Sequence, residues 1–172
     1  ASLELKTVLD VSLTRAMDAL GIEMGLMGVI REQPDEESGV YLLAQRGMPM
    51  EMSRYKRDPW PLTRGTIGRV VRTGDLAWVN DISQDRDYVP NSFRTRSILV
   101  VPIKREEQVI GVIDLESPNP DYFTSDDVNF IKLLVSPAAI AIQNAQLFEQ
   151  VKEANHAKTD FMDRVSHDLK LP

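Results

Sequence analysis

Residues 96–117, "RSILVVPIKREEQVIGVIDLES", hold two apolar runs on either side of a short charged turn. "SILVVPIK" and "QVIGVIDLES" are of strand length and rich in β-branched residues, and the intervening "REE" is short enough to reverse the chain, which predicts an antiparallel pair. Neither run alternates strictly between apolar and polar positions. Strands of that texture have no solvated face, so both are expected at the centre of a sheet.

Working outward, residues 3–20 place Leu5, Leu9, Leu13, Ala16 and Leu20 three or four apart, the spacing of a helix with one apolar stripe, and Gly21 ends it. "MGLMGVIRE" and "VYLLAQRG", separated by the polar turn "PDEESG", read as a second antiparallel pair. Residues 47–96 are less regular: "PWPLTRG" reads as loop, "TIGRVVRTG" as a short helix closed by Gly74, and "LAWVND" as a short strand leading into the polar "SQDRDYVPNS". Loops carried on a rigid scaffold are where ligands usually bind. "FTSDDVNF" opens the last helix, with Thr124 as N-cap and Asp127 in capping-box spacing.

In that helix apolar residues recur at Val128, Ile131, Val135, Ala138, Ile142 and Ala145, then after a phase shift at Leu147, Val151, Ala154, Phe161 and Val165, with Lys158 interrupting. Alternating threes and fours are the spacing of a coiled-coil seam, so the helix is expected to leave the globule and continue. Pro137 lies inside it. A proline there lacks the N–H for one helical bond and crowds the carbonyl of Leu133, which predicts a kink or a break between these residues.

Composition narrows the function classes. The 172 residues suit one domain and an appendage; 42% hydrophobic and 27% charged content describe a soluble globular protein. The longest apolar run, "ILVVPI", is far short of the roughly 20 residues that span a bilayer. No secretory leader precedes it, and "ASLEL" does not read as a native N-terminus, so a cytoplasmic location is expected. Cysteine is absent, which removes disulfides, thiolate metal sites and cysteine nucleophiles. A net charge of −6 without basic clusters argues against nucleic acid or membrane partners, and no metal site is expected.

"GIEMGLMGVI", "AQRGMP", "RGTIGRVVRTGDLAWVNDI", "RSILVVPIKREEQVIGVIDLES" and "FTSDDVNFIKLLVSPAAIAIQNAQLFEQV" resemble, in order, successive blocks of a GAF domain. The resemblance implies an α+β fold: an antiparallel sheet of about six strands between a layer of terminal helices and a layer of ligand-covering loops, with a long C-terminal signalling helix. It places the sensor domain at residues 1–152. Residues 153–172 would be a linker helix and the truncated start of the next domain, because "KTDFMDRVSHDLKLP" resembles the phosphoacceptor box of sensor histidine kinases, with Phe161, Ser166, His167, Asp168, Leu169, Lys170 and Pro172 in register.

By that resemblance His167 is the phosphoacceptor and Asp168 its acid/base partner. Imidazole is nucleophilic near neutral pH, and a neighbouring carboxylate can accept a hydrogen bond from one ring nitrogen while the other attacks. Threonine or asparagine is frequent in the family four residues after the histidine. Leu171 stands there, which puts phosphatase activity in the parent kinase in doubt. ATP and magnesium would serve the parent kinase through a domain beyond residue 172; this chain has no phosphate-cradling loop and is expected to hold no cofactor and to be inactive alone. The implied partners are a second copy, a response-regulator receiver domain and a small molecule of unknown identity in the GAF pocket. The apolar stripes of residues 3–20 and of the terminal helix are both expected to pack against a second chain, in parallel.

Trp60, Trp78, Asp81, Tyr88 and Arg94 fall where the resemblance puts the ligand-facing layer. Two readings stand here: pocket wall, or aromatics of a filled core. Asp85 and Asp87 read as solvated loop residues, and His156 as a surface residue of the linker helix rather than a haem ligand. Three rivals remain: an enzyme on the same fold such as a free methionine sulfoxide reductase, disfavoured by the missing cysteines; a chromophore-binding photoreceptor; and a purely structural dimerisation module.

Overall fold

The computed structural model describes residues 2–31, 38–90 and 92–170, so most of the "PDEESG" turn, Leu171 and Pro172 lie outside the described residues. Two long helices, α1 (Leu3–Leu20) and α3 (Ser125–Leu169), and a short one, α2 (Gly65–Thr73), accompany six strands. The strands are β1 (Met24–Arg31), β2 (Gly39–Arg46), β3 (Trp60–Pro61), β4 (Ala77–Val79), β5 (Ser97–Arg105) and β6 (Gln108–Ser117). They form one antiparallel sheet in the order β3-β2-β1-β6-β5-β4. The architecture is α+β, as expected, and the two strands of residues 96–117 pair side by side within the sheet. Two 3₁₀ turns, Met50–Lys56 and Ile82–Gln84, were not foreseen.

Period-2 alternation sends the central strands' side chains to two separate cores. Leu99, Val101 and Ile103 of β5 and Ile113 and Leu115 of β6 meet α1 and α3, whereas Ile98, Val100 and Val112 meet α2 and the loops of residues 47–96. The helix side is closed by Leu5, Leu9, Leu13, Ala16 and Leu20 of α1 and by Val128, Ile131, Val135, Ala138 and Ile142 of α3. This corrects the expectation that the α1 stripe serves a second chain: all five of its residues are buried within the protomer. The sheet's apolar helix face takes them up first.

Helix ends follow local chemistry. Ser2 accepts a hydrogen bond from the backbone N–H of Leu5, Thr124 and Asp127 form the full reciprocal capping box, and Gly21 closes α1 at φ +65°, a conformation that disfavours residues with a Cβ. The Tyr122 hydroxyl donates to the carbonyl of Leu20, tying the end of α1 to the start of α3.

α3 is one helix of 45 residues with Pro137 inside it, so of the kink or break expected between Leu133 and Pro137 the break does not occur. Pro137 lies on the exposed face, and Leu133 is 75% exposed, so the carbonyl deprived of its donor is on the side open to water. Solvation there limits the penalty, while Val135 and Ala138 on the opposite face keep both halves docked. By length and composition α3 also contains an 18-residue window apolar enough to cross a bilayer, although its apolar residues from Val128 to Ile142 pack on the sheet.

An exposed proline in a continuous helix interior costs about 3 kcal/mol relative to alanine. Pro137→Ala should therefore raise the unfolding free energy by roughly 1–3 kcal/mol in urea titration. An unchanged midpoint would show that the helix around residue 137 is already relaxed.

Candidate functional site

The second core lies beneath the 47–96 segment, and three devices hold that irregular cover in place. Trp60 Nε1 donates to the carbonyl of Arg64 at 2.8 Å, whose guanidinium lies 4.8 Å from the ring centroid. Arg72 donates to the carbonyl of Leu62. Arg69 on α2 reaches across to the loop after Ile82–Gln84, donating to Asp85 at 2.8 and 2.9 Å and to Asp87 at 2.6 Å. The Asp85 side chain is 4% exposed and also accepts from Thr66. Desolvation pushes its carboxyl upward, but the hydrogen bonds and charge of Arg69, with the Asp87 backbone and Thr66, outweigh burial and hold it below the ordinary carboxylate range. The same contacts raise Arg69 further above its ordinary value, chiefly through the hydrogen bond with Asp85. Asp85 is thus a buried anchor of the loop rather than the solvated residue read from the sequence, whereas Asp87 is exposed as read, while also pairing with Arg69.

Of the five pocket candidates, the structure brings two together. Trp60 and Tyr88 line a small cavity of about 10 Å³ with Thr66, Val89 and Ile98. Gly65 borders it at φ +73°, where a Cβ would meet the Trp60 ring at 3.3 Å. Trp78 is 42% exposed on edge strand β4. Asp81 caps the Ile82–Gln84 turn by accepting from the Ser83 N–H at 3.0 Å, which lowers its pKa. Arg94 lies at the surface, 3.6 Å from Glu23.

Sequence reading passed over the most unusual residues of this layer. Asp114 and Glu116, two apart on β6, both point to the loop side and are fully buried. Asp114 lines the cavity, and its Oδ1 has no hydrogen-bond partner. Glu116 accepts a hydrogen bond from the buried Thr95 hydroxyl. Burial first, then the neighbouring Glu116 charge and their mutual hydrogen bond, pushes the Asp114 carboxyl well above its ordinary value. The available signal was a pair of acids with period-2 spacing inside an otherwise apolar strand.

Far from this layer, His167 is 76% exposed near the end of α3, and its Nδ1 lies 3.7 Å from Asp168 Oδ1, beyond hydrogen-bond reach. His156 is likewise exposed on α3, 3.6 Å from Asp160. Among the described residues no cluster of three metal-ligating side chains occurs.

A family model described as "GAF domain" matches residues 2–143. Hybrid signal transduction histidine kinase G of Dictyostelium discoideum is 26% identical over 132 residues, covering 66% of this chain and 4% of that protein. Dual 3',5'-cyclic-AMP and -GMP phosphodiesterase 11A of Takifugu rubripes is 33% identical over 98 residues, covering 52% of this chain and 11% of that protein. The chain therefore corresponds to a small part of these relatives. Among solved structures, the GAF domain from Acinetobacter phosphoenolpyruvate-protein phosphotransferase superposes with a TM-score of 0.72 at 19% identity, covering 86% of this chain and 87% of that one, a likeness of fold.

Asp114 makes stability fall as pH rises. Its folded pKa is raised above the ordinary 3.8, so its favourable contribution is complete below that value and is lost as pH climbs toward the folded pKa. Asp114→Asn keeps the shape and cannot ionise. Its urea midpoint should gain on that of the wild type between pH 4 and pH 7, by about 1.4 kcal/mol for each unit of the shift. A variant that loses ground over that range would contradict a protonated Asp114.

Proposed function

This chain belongs to the GAF domain family, and from that premise we propose that it is the regulatory sensor of a two-component histidine kinase. One observation carries the reading: the helix that closes the sheet runs without a break to His167. At roughly 1.5 Å per residue the histidine stands about 37 Å beyond Ile142, the last buried residue of α3. A small reorientation of the sheet-bound part is thereby delivered at distance to the phosphoacceptor region. The histidine kinase among the relatives supports this context, and the phosphodiesterase shows that the domain also serves other outputs.

In this reading the layer over Asp114, Trp60 and Tyr88 responds to a small molecule, and α3 transmits the response. His167 receives a phosphoryl group from ATP and magnesium held by a separate catalytic domain, Asp168 assists the proton movement, and a response-regulator receiver domain takes the phosphoryl group onward. The protein works in the cytoplasm. A second reading, a structural GAF module with a filled core, draws on the smallness of the cavity, about 10 Å³.

The assembly is a parallel homodimer formed by α3 alone. Leu147, Phe148, Val151, Phe161 and Met162 are exposed in the single chain. A second copy of the same stripe covers them in a symmetric seam and puts the two His167 side chains at the same end. Without a partner, such an apolar stripe remains in water.

Two measurements test these points. Supplied with ATP, magnesium and a histidine-kinase catalytic domain in trans, the chain should acquire acid-labile phosphate that His167→Gln abolishes; label persisting in that variant would remove His167 from the role. In sedimentation velocity the wild type should shift from monomer to dimer with concentration, and Val151→Lys should remain monomeric. A wild type that stays monomeric throughout would sink the α3 seam.

A further inference from the structure

The cavity beside Asp114 has a chemistry that the apolar layer around it does not require. Asp114 is 2% exposed and lines the cavity, its Oδ1 is buried without a partner, and its cross-strand neighbours are Val100 on β5 and Leu26 on β1. No Lys or Arg among the described residues contributes to its electrostatics. The nearby cations are committed elsewhere: Arg69 to Asp85 and Asp87, and Arg64 to the Trp60 ring. An acid left this way in a packed interior costs stability that an apolar residue of similar size would not. The two carboxyls also differ. Thr95 donates to Glu116, whereas Asp114 lines the cavity with Trp60 and Tyr88 and its Oδ1 accepts no hydrogen bond.

We propose that Asp114 is the anchor of a binding site for the ammonium group of a small primary amine, whose carbon body lies between Trp60 and Tyr88. This rests on the reading of the loop-covered face as the sensing site. Size and charge select the ligand class. A cavity of about 10 Å³ admits one water-sized group, which a terminal –NH₃⁺ matches and a guanidinium or quaternary ammonium does not. The three N–H donors of an ammonium need acceptors, and Asp114 Oδ1 is one that is not in use. Aromatic faces favour a cation and tolerate the adjoining methylenes. A hydrated divalent ion would need several oxygen ligands, and among the described residues no cluster of three such side chains is found.

The proton balance follows from the acid pair. Burial, the neighbouring Glu116 charge and the hydrogen bond with Glu116 raise the Asp114 carboxyl well above its ordinary value, which favours its protonated form in the free protein. An ammonium ion entering beside it replaces that proton as the compensating positive charge. The Asp114 O–H bond breaks, the proton passes to solvent, and the carboxylate then accepts a hydrogen bond from the ligand N–H. No redox partner is involved, and one proton leaves per amine bound. The ammonium head alone takes the space beside Asp114, and because the cavity is partly open the chain of the amine extends past Trp60 and Tyr88 under the cover that Arg69 pins through Asp85 and Asp87. That links occupancy to the loop layer.

The test uses the 172-residue chain with methylammonium, n-propylammonium and n-butylammonium chlorides, set against equal concentrations of sodium, tetramethylammonium, guanidinium and magnesium chlorides. At ten times the Kd a primary amine should raise the Tm by about 3 °C over sodium, and tetramethylammonium, guanidinium and magnesium should not. Calorimetry in phosphate and in HEPES should give about one proton released per amine bound, and Asp114→Asn should lose both the Tm rise and the release. The proposal is overturned if no primary amine raises the Tm, if tetramethylammonium or magnesium does so equally, or if Asp114→Asn keeps the response. Should that variant not fold, proton release by the wild type decides alone, and its absence overturns the proposal. His167 labelling is measured separately, so failure of amine binding and failure of the kinase reading are distinguishable.

Discussion

The structure depends on the burial of its central strands on both faces. β6 is buried from Ile110 through Ser117, with neighbouring strands on either side and a core above and below. A sheet in that position needs two covers, and the chain supplies them in different ways. One side is covered by the two long helices, α1 and α3, which come from distant parts of the sequence and pack side by side on the same apolar face. The other is covered by a segment inserted between β2 and β5, too often interrupted by glycine and proline to build another long helix.

The difference between the covers has a physical consequence. The helices satisfy their own backbone groups and are held by many apolar contacts, so they behave as rigid elements. The inserted segment has fewer internal ladders and relies on specific polar ties: Arg69 to Asp85 and Asp87, Arg72 to the Leu62 carbonyl, and Trp60 to the Arg64 carbonyl. Single ties of this kind can be exchanged for others at modest free-energy cost, whereas the helix side moves only as a unit. In the proposed sensor, a signal that begins in the loop layer would cross the sheet to a lever that is already stiff.

Asp114 and Glu116 are the exception within that arrangement. Buried acids in an apolar layer reduce stability unless a proton or a cation compensates them, and burial together with the Glu116 charge pushes the Asp114 carboxyl toward its protonated form. Arg69 and Asp85 show the other solution in the same layer, where a fixed guanidinium lets a buried carboxylate remain charged. One pair fastens the cover. The other leaves Asp114 Oδ1 buried without a partner.

Some of this was legible from residue order because the relevant physics is local. The stripe of α1, the Thr124–Asp127 capping box, the Gly21 and Gly74 stops and the unbroken apolar strands of residues 96–117 depend on neighbours within a few positions. Whether a residue takes part in a site depends on which distant surface reaches it. Spacing alone does not distinguish Trp60, buried over the cavity, from Trp78, exposed on an edge strand, and it gives no hint that Arg69 would take up Asp85 and Asp87. The sequence by itself determined the element types, the two-faced burial of the central strands and the extension of the last helix to His167, since backbone periodicity and capping are local properties. Only the tertiary structure decided that the α1 stripe is used inside the protomer, that α3 passes Pro137 unbroken, and that Asp114 meets Trp60 and Tyr88, because packing across the sheet selects among surfaces that the chain order leaves equivalent.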